Sequence, residues 1–156
     1  MSSSRATPSP LKADQMLIGA LLRVPAQAIQ RRLIRELNAA GFDDLTLPHI
    51  AVLQYPGPDG VRPSLLAARA GTSKQAMNKL LGSLEGLGYL RRTDDPAEGR
   101  ARVVRFTARG RAAYTTILHI LRGVEREWSR ELGPKRFAEL KAILLQVWES
   151  PLVGDG

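Results

Sequence analysis

SLLAARAGTSKQAMNKLLGSLEGLGYLRR, residues 64–92, decides how the rest of the chain is read. Its first seven residues offer Leu66, Ala67 and Ala70 as a narrow small-residue face, with Pro63 suited to a first helical turn. Gly71 supplies a tight turn, and Ser73 is a good N-cap for a second helix. In that helix Ala76, Leu80, Leu84 and Leu87 predict an inward stripe. Lys74, Gln75, Asn78 and Lys79 then project from the other side, a face with no acid in it and with the amide and ammonium donors that read base edges and phosphates. Four such residues could equally be a solvated surface. The small-residue helix and glycine turn before them favour a helix-turn-helix.

Downstream, Gly88 is placed to end the helix, and Tyr89 to Thr93 reads as a strand. DDPAEG at 94–99 is turn chemistry, and RVVRF at 102–106 reads as the returning strand, with Val104 and Phe106 on one face. Arg91, Arg92, Arg100, Arg102 and Arg105 lie on or beside this hairpin, and so many cations repel one another unless a polyanion neutralises them. A helix-turn-helix followed by a basic hairpin is a winged helix.

The charge distribution agrees. Eleven of the 23 lysines and arginines fall between Arg62 and Arg111, against four acids (Glu85, Asp94, Asp95, Glu98), so seven of the eight net positive charges sit on that segment. A concentrated excess marks a surface that attracts polyanions. With only 5% aromatics the chain offers no interleaved stacking platform for single-stranded RNA, and duplex DNA is the better partner.

Upstream, Thr46 predicts a short helix through Tyr55 that carries Ile50, Val52 and Leu53 and is ended by PGPDG at 56–60. Before it, Asp14 can cap a helix with apolar positions Leu17, Ile18, Leu21, Leu22, Ala28, Ile29, Leu33 and Leu37, which Pro25 should kink or break. Arg31, Arg32, Arg35 and Glu36 fall between the apolar positions and read as a solvated face. Residues 1–13, small, polar and proline-bearing, read as a flexible arm. Beyond the hairpin, Thr107 caps a long helix to about Glu131, and Gly133-Pro134 separates it from a last helix with Phe137, Leu140, Leu144, Val147 and Trp148 apolar; residues 150–156 read as a tail. The first helix and the last two are more apolar than a small winged domain covers, so residues 14–40 and 111–149 are expected to be dimerisation helices.

Other classes find little support. Without cysteine there is no disulfide, thiolate metal site or thiol nucleophile. His49 and His119, seventy residues apart, show no metal-ligand spacing and no dyad, and GSLEGLG at 82–88 sits in and after a helix rather than after a strand. No catalytic residue, metal or cofactor is expected, and no membrane span or signal segment is read, which suits a cytoplasmic protein.

Three runs, LTLPHIAVL at 45–53, the opening stretch at 64–92 and DPAEGRARVVRFTARG at 95–110, resemble in order and spacing the multiple-antibiotic-resistance regulator (MarR) family of bacterial transcription factors. The most specific pieces are Leu84-Glu85 followed by Gly88 and Arg91 or Arg92, the Asp95-Pro96 wing entry, and Thr107 with Gly110; the likeness covers about residues 14–149, with the DNA-binding part at 45–110. It departs at the wing, where Glu98 stands for the usual Asp and Gly99 for a common arginine before Arg100, and at Pro25 in a helix that should be long. The resemblance implies a mainly α fold with a β-hairpin wing and a homodimeric, ligand-responsive repressor of an inverted-repeat operator. Ser73, Lys74, Gln75, Asn78, Lys79, Arg100 and Arg102 would touch DNA, and a small aromatic or anionic effector would enter near His49 with Arg23 or Arg31 as its cationic partner. The alternative is a winged-helix protein scaffold without DNA binding, which has no reason to keep so basic a face.

Overall fold

A computed structural model describes residues 12, 15–54, 60–94 and 102–154. The expected N-terminal arm (1–13) apart from Lys12, the cap position Asp14, Tyr55 and most of the PGPDG turn, and the wing tip with Asp95, Glu98, Gly99 and Arg100 lie outside the described residues.

The first helix, α1 (Ile18–Ala39), runs without interruption through Pro25. The expected break does not occur. Proline removes one hydrogen bond to the preceding turn, and there the turn, residues 21–24, is exposed, so water can take the freed carbonyl. The helix ends at Gly41, whose φ of +91° an L side chain would adopt only under strain. Thr46 caps α2 (Leu47–Leu53): the His49 side chain turns back so that its Nδ1 accepts from the Thr46 N–H at 3.2 Å.

Pro63 stands in the first turn of α3 (Pro63–Arg69), and Gly71, at φ +61°, turns the chain into α4 (Lys74–Gly86). Ser73 Oγ accepts from the Ala76 N–H at 3.1 Å and so caps α4 as its position foretells. The inward stripe is one residue out of phase with the expectation. Met77, Leu81 and Leu84 are buried, Leu80 and Leu87 partly so, and Ala76 is exposed. A methionine has far more apolar area to remove from water than an alanine, which settles the helix rotation.

Strands β1 (Leu90–Asp94) and β2 (Arg102–Phe106) pair antiparallel with Leu90 opposite Phe106 and Asp94 opposite Arg102. A third, one-residue strand completes the wing: the Val61 N–H donates to the Val104 carbonyl at 3.1 Å and the Val104 N–H returns a bond of 2.7 Å. Val103 and Val104 are both buried, where simple alternation allows one, so β2 is covered on both faces at this point.

Helix α5 (Ala108–Leu132) starts at Thr107, whose Oγ1 accepts from the Gly110 N–H at 3.0 Å. Gly133 (φ +88°) separates it from α6 (Pro134–Trp148), and a single turn, α7 (Pro151–Gly154), forms within the segment expected to be a tail. The core joins Leu33 and Leu37 of α1, Ile50 and Leu53 of α2, Leu66, Met77, Leu81, Leu84, Tyr89, and Ile117 and Ile120 of α5. Arg32 is not the solvated residue its position suggests. It donates to Glu36 at 2.6 Å and to Glu127 at 2.7 Å, and so fastens α1 to α5.

Candidate nucleic-acid interface

Burial of Met77, Leu81 and Leu84 turns Lys74, Gln75, Asn78 and Lys79 together to solvent on α4. Beside them Arg62, Pro63, Ser64, Lys74, Asn78 and Arg102 line a concavity of about 330 Å³. Three cations, a hydroxyl and an amide around a space of that size suit a phosphate diester. The N-terminus of α3 forms one wall, α4 the second and β2 of the wing the third, so one backbone phosphate would touch all three parts of the winged helix. Arg102 lies 4.0 Å from Asp94 with both side chains largely exposed, a pairing too weak to withhold it from a phosphate. Ser73 is exposed, but its hydroxyl oxygen already serves as the α4 cap.

The Asn78 amide has a partner within the protein. Arg92, reaching across from β1, donates from Nη1 to Asn78 Oδ1 and from Nη2 to the Asn78 carbonyl, both at 3.3 Å, while its Nε is held by Glu85 at 2.5 Å. Arg62, Ser64 and Arg92 therefore join the residues singled out by sequence. Arg62 had a signal of its own, because the first helix of a helix-turn-helix meets the DNA backbone at its start; Arg92 had none beyond the positive charge of the hairpin.

A second cluster fastens this surface to α5. Tyr89 donates its hydroxyl to Asp44; Arg109 donates to the other Asp44 oxygen at 2.9 Å and to the Leu87 carbonyl at 2.7 Å, with its guanidinium 4.4 Å above the Tyr89 ring. Burial pushes the Asp44 carboxyl up, but the Tyr89 hydrogen bond and the Arg109 charge outweigh it and hold Asp44 below its ordinary value. Burial, and then the bond to Asp44, raise the Tyr89 phenol.

The residues expected near an effector are not brought together. Arg31 lines an open cavity of about 530 Å³ with Gln27, Gln30, Ile34, Arg35, Asn38 and Leu47. Arg23 is exposed two turns earlier on α1. His49 is buried, with Nδ1 occupied by Thr46 and Nε2 2.9 Å from Ser83 Oγ of α4; burial lowers its pKa, and Asp44 opposes that only in part.

A helix-turn-helix and a three-part wing that present a basic, acid-free helix face beside a phosphate-sized concavity define a DNA-binding transcription regulator. Residues 43–101 match the MarR family model. The HTH-type transcriptional repressor Rv2887 of Mycobacterium tuberculosis is 29% identical over 133 residues, 85% of this chain and 94% of that protein. Its crystal structure in complex with salicylic acid, as a MarR family protein, is similar with a TM-score of 0.59 at 28% identity, covering 87% and 99% of the two chains. The transcriptional regulator HosA of Escherichia coli O111:H- is 31% identical over 91 residues, 58% of this chain and 67% of HosA. The same fold occurs in the transcriptional repressor CouR of Rhodococcus jostii RHA1 bound to a 23-mer DNA duplex, with a TM-score of 0.70, 22% identity and coverage of 89% and 99%. The chain belongs to the MarR family of transcription regulators.

Proposed function

We propose that the chain is a cytoplasmic repressor that binds an inverted-repeat operator as a homodimer and is released by a small aromatic or anionic effector. The observation that carries the DNA-binding part is the continuity of the α4 face with the basic concavity around Arg62, Lys74 and Arg102. Gln75, Asn78 and Lys79 read base edges in the major groove; Lys74, Arg62 and Arg102 hold phosphates, and Arg100 reaches the flanking minor groove. The N-terminus of α4 at Ser73 adds a partial positive charge toward the backbone. No helix among the described residues is long and apolar enough to cross a membrane.

Association rests on apolar surface left uncovered in the protomer. Helix α6 buries none of its residues, and Ile143, Leu145, Val147 and Trp148 are exposed, as are Leu17, which precedes α1, and Ile18, Leu21 and Val24 of α1. Faces of this kind are covered in an obligate dimer. We assign residues 14–40 and 111–149 to it and 45–110 to DNA. The effector reading draws on the salicylic acid bound to Rv2887 and the p-coumaroyl-CoA bound to CouR. In this chain the cavity beside Arg31 and Arg35 offers the cationic partner, while His49, which does not line it, links α2 to Ser83 of α4.

Footprinting on the DNA upstream of the coding region tests the reading. Two protected half-sites about 34–36 Å apart are expected. Protection of one isolated half-site refutes the dimeric part, and failure to bind any duplex favours a protein scaffold. An aromatic carboxylate that raises the melting temperature without weakening operator binding refutes the effector part.

A further inference from the structure

We infer that Arg92 sets the base preference of Asn78, by leaving only the donor half of its amide to face DNA. The inference rests on the proposed reading that α4 enters the major groove. Arginine has donors and no acceptor, so the Asn78 atom facing Nη1 is its oxygen, and the amide nitrogen is turned away toward solvent. The guanidinium that sets this orientation is itself held at several points. Nη2 donates to the Asn78 carbonyl, Glu85 grips Nε, and the same guanidinium lies 3.9 Å from where a Cβ on Gly82 of α4 would stand. Both Arg92 and Glu85 are largely shielded, with side chains 23% and 34% exposed, so water competes little for the pair.

The chemical consequence is specific. An unrestrained asparagine reads adenine through two bonds, donating to N7 and accepting from the N6 amino group. In this chain the accepting oxygen already has a guanidinium beside it. A second lone pair remains, but the N–H groups of Arg92 repel the adenine amino hydrogens that would approach it. The amide nitrogen keeps its two donors, and these match the acceptor edges: O6 and N7 of guanine, or O4 of thymine. Arg92 is a positioning residue, since it acts on the base through Asn78.

Selection of bound duplexes from a randomised library by the full chain, followed by sequencing, tests this. The base pair read by Asn78 is the one at which Asn78→Ala loses its preference. Wild type is expected to select guanine or thymine there. Arg92→Ala, which frees Oδ1, should raise adenine at that position about tenfold relative to wild type, the discrimination typical of one restored bidentate contact. Arg92→Lys, which still donates to Oδ1, should retain the wild-type choice, and Glu85→Gln, which loosens the grip on Arg92 with little change of shape, should shift it part of the way. Should Arg92→Ala fail to fold, the Glu85→Gln and Arg92→Lys pair still decides. Adenine selected by wild type at this position, or an unchanged base choice in both Arg92→Ala and Glu85→Gln, overturns the inference while Asn78 remains a reader. If Asn78→Ala changes no position at all, the reading of α4 as a base-contacting helix falls and takes the inference with it.

Discussion

Gly110→Ala should be among the most damaging single-methyl additions in the described chain. A Cβ there would stand 1.9 Å from the Tyr89 carbonyl oxygen and 3.1 Å from Phe106 Cδ1. That is roughly 1.4 Å inside a normal carbon–oxygen contact of about 3.3 Å. The neighbour cannot rotate away, because it is backbone, and the Thr107 N–H donates to the same oxygen at 3.1 Å while the Thr107 hydroxyl donates to the adjacent Gly88 carbonyl at 2.5 Å. Relief therefore means sliding the first turn of α5 off β1 and losing those bonds. Overpacking costs about 1–3 kcal/mol and a lost hydrogen bond about 1 kcal/mol, while alanine returns about 1 kcal/mol of helix propensity. A net loss of about 1–3 kcal/mol corresponds to a melting temperature lower by roughly 2–12 °C for a chain of this length. Gly82→Ala is the control: its Cβ meets only the Arg92 guanidinium at 3.9 Å, so α4 should gain up to about 1 kcal/mol. Thermal melts of both variants at one protomer concentration make the comparison. A Gly110→Ala protein as stable as wild type, or a Gly82→Ala protein that loses more, would refute the packing argument.

Acidification should destabilise the protein below about pH 6.5. The folded state holds the His49 pKa under its ordinary 6.5, so the unfolded chain takes up the proton first and stability present above that pH is lost as pH falls through the folded value. His49→Gln should flatten denaturant midpoints between pH 7 and pH 5, and a wild-type protein that gains stability on acidification contradicts the sign. Asp44, held below 3.8, adds a further loss at still lower pH, which Asp44→Asn should remove from the acid limb of the same titration. Gln75→Ala should cost about 1–3 kcal/mol on the selected site and little on scrambled duplex, whereas Arg102→Ala should weaken both and lower the salt slope by roughly 0.9 per protomer; titrations at several salt concentrations distinguish the two, and a reversed pattern undoes the division of labour. Leu145→Asp combined with Trp148→Ser should convert a sedimenting dimer to monomer at micromolar concentration, and an unchanged sedimentation coefficient would remove α6 from the interface.

The elements and their order were legible in the sequence because caps, glycine turns and apolar spacing are local signals. Ser73, Thr46 and Thr107 stand where the structure puts helix starts. What could not be read locally was rotation and contact at a distance. Ala76 and Met77 both satisfy a helical repeat with Leu84 within one residue, and spacing alone does not choose between them; the larger apolar area of Met77 does. Pro25 carries a local signal for a break, yet the cost of one exposed hydrogen bond does not stop a helix anchored at Leu33 and Leu37. The candidate DNA face was visible as an acid-free run on one helix. The role of its neighbour Arg92 was not, because it depends on a side chain crossing fourteen residues. His49, which the sequence places on the short helix expected to line an effector crevice, is instead bonded at both ring nitrogens.

The joint where α5 leaves the wing carries a mechanical implication. Thr107, Arg109 and Gly110 fasten the first turn of α5 to Gly88, Tyr89, Leu87 and Asp44, so side-chain bonds and close packing, beyond the backbone alone, tie the long helix to the module that bears α4. The assembly is a lever with a welded elbow. A small tilt imposed on α1 and α5 at the far end reaches the recognition helix as a sweep of the whole head, altering the distance between two heads rather than the shape of either. Loss of grip on DNA would then be a change of stride, and an operator with a longer or shorter spacer should suit the tilted form better than it suits the resting one.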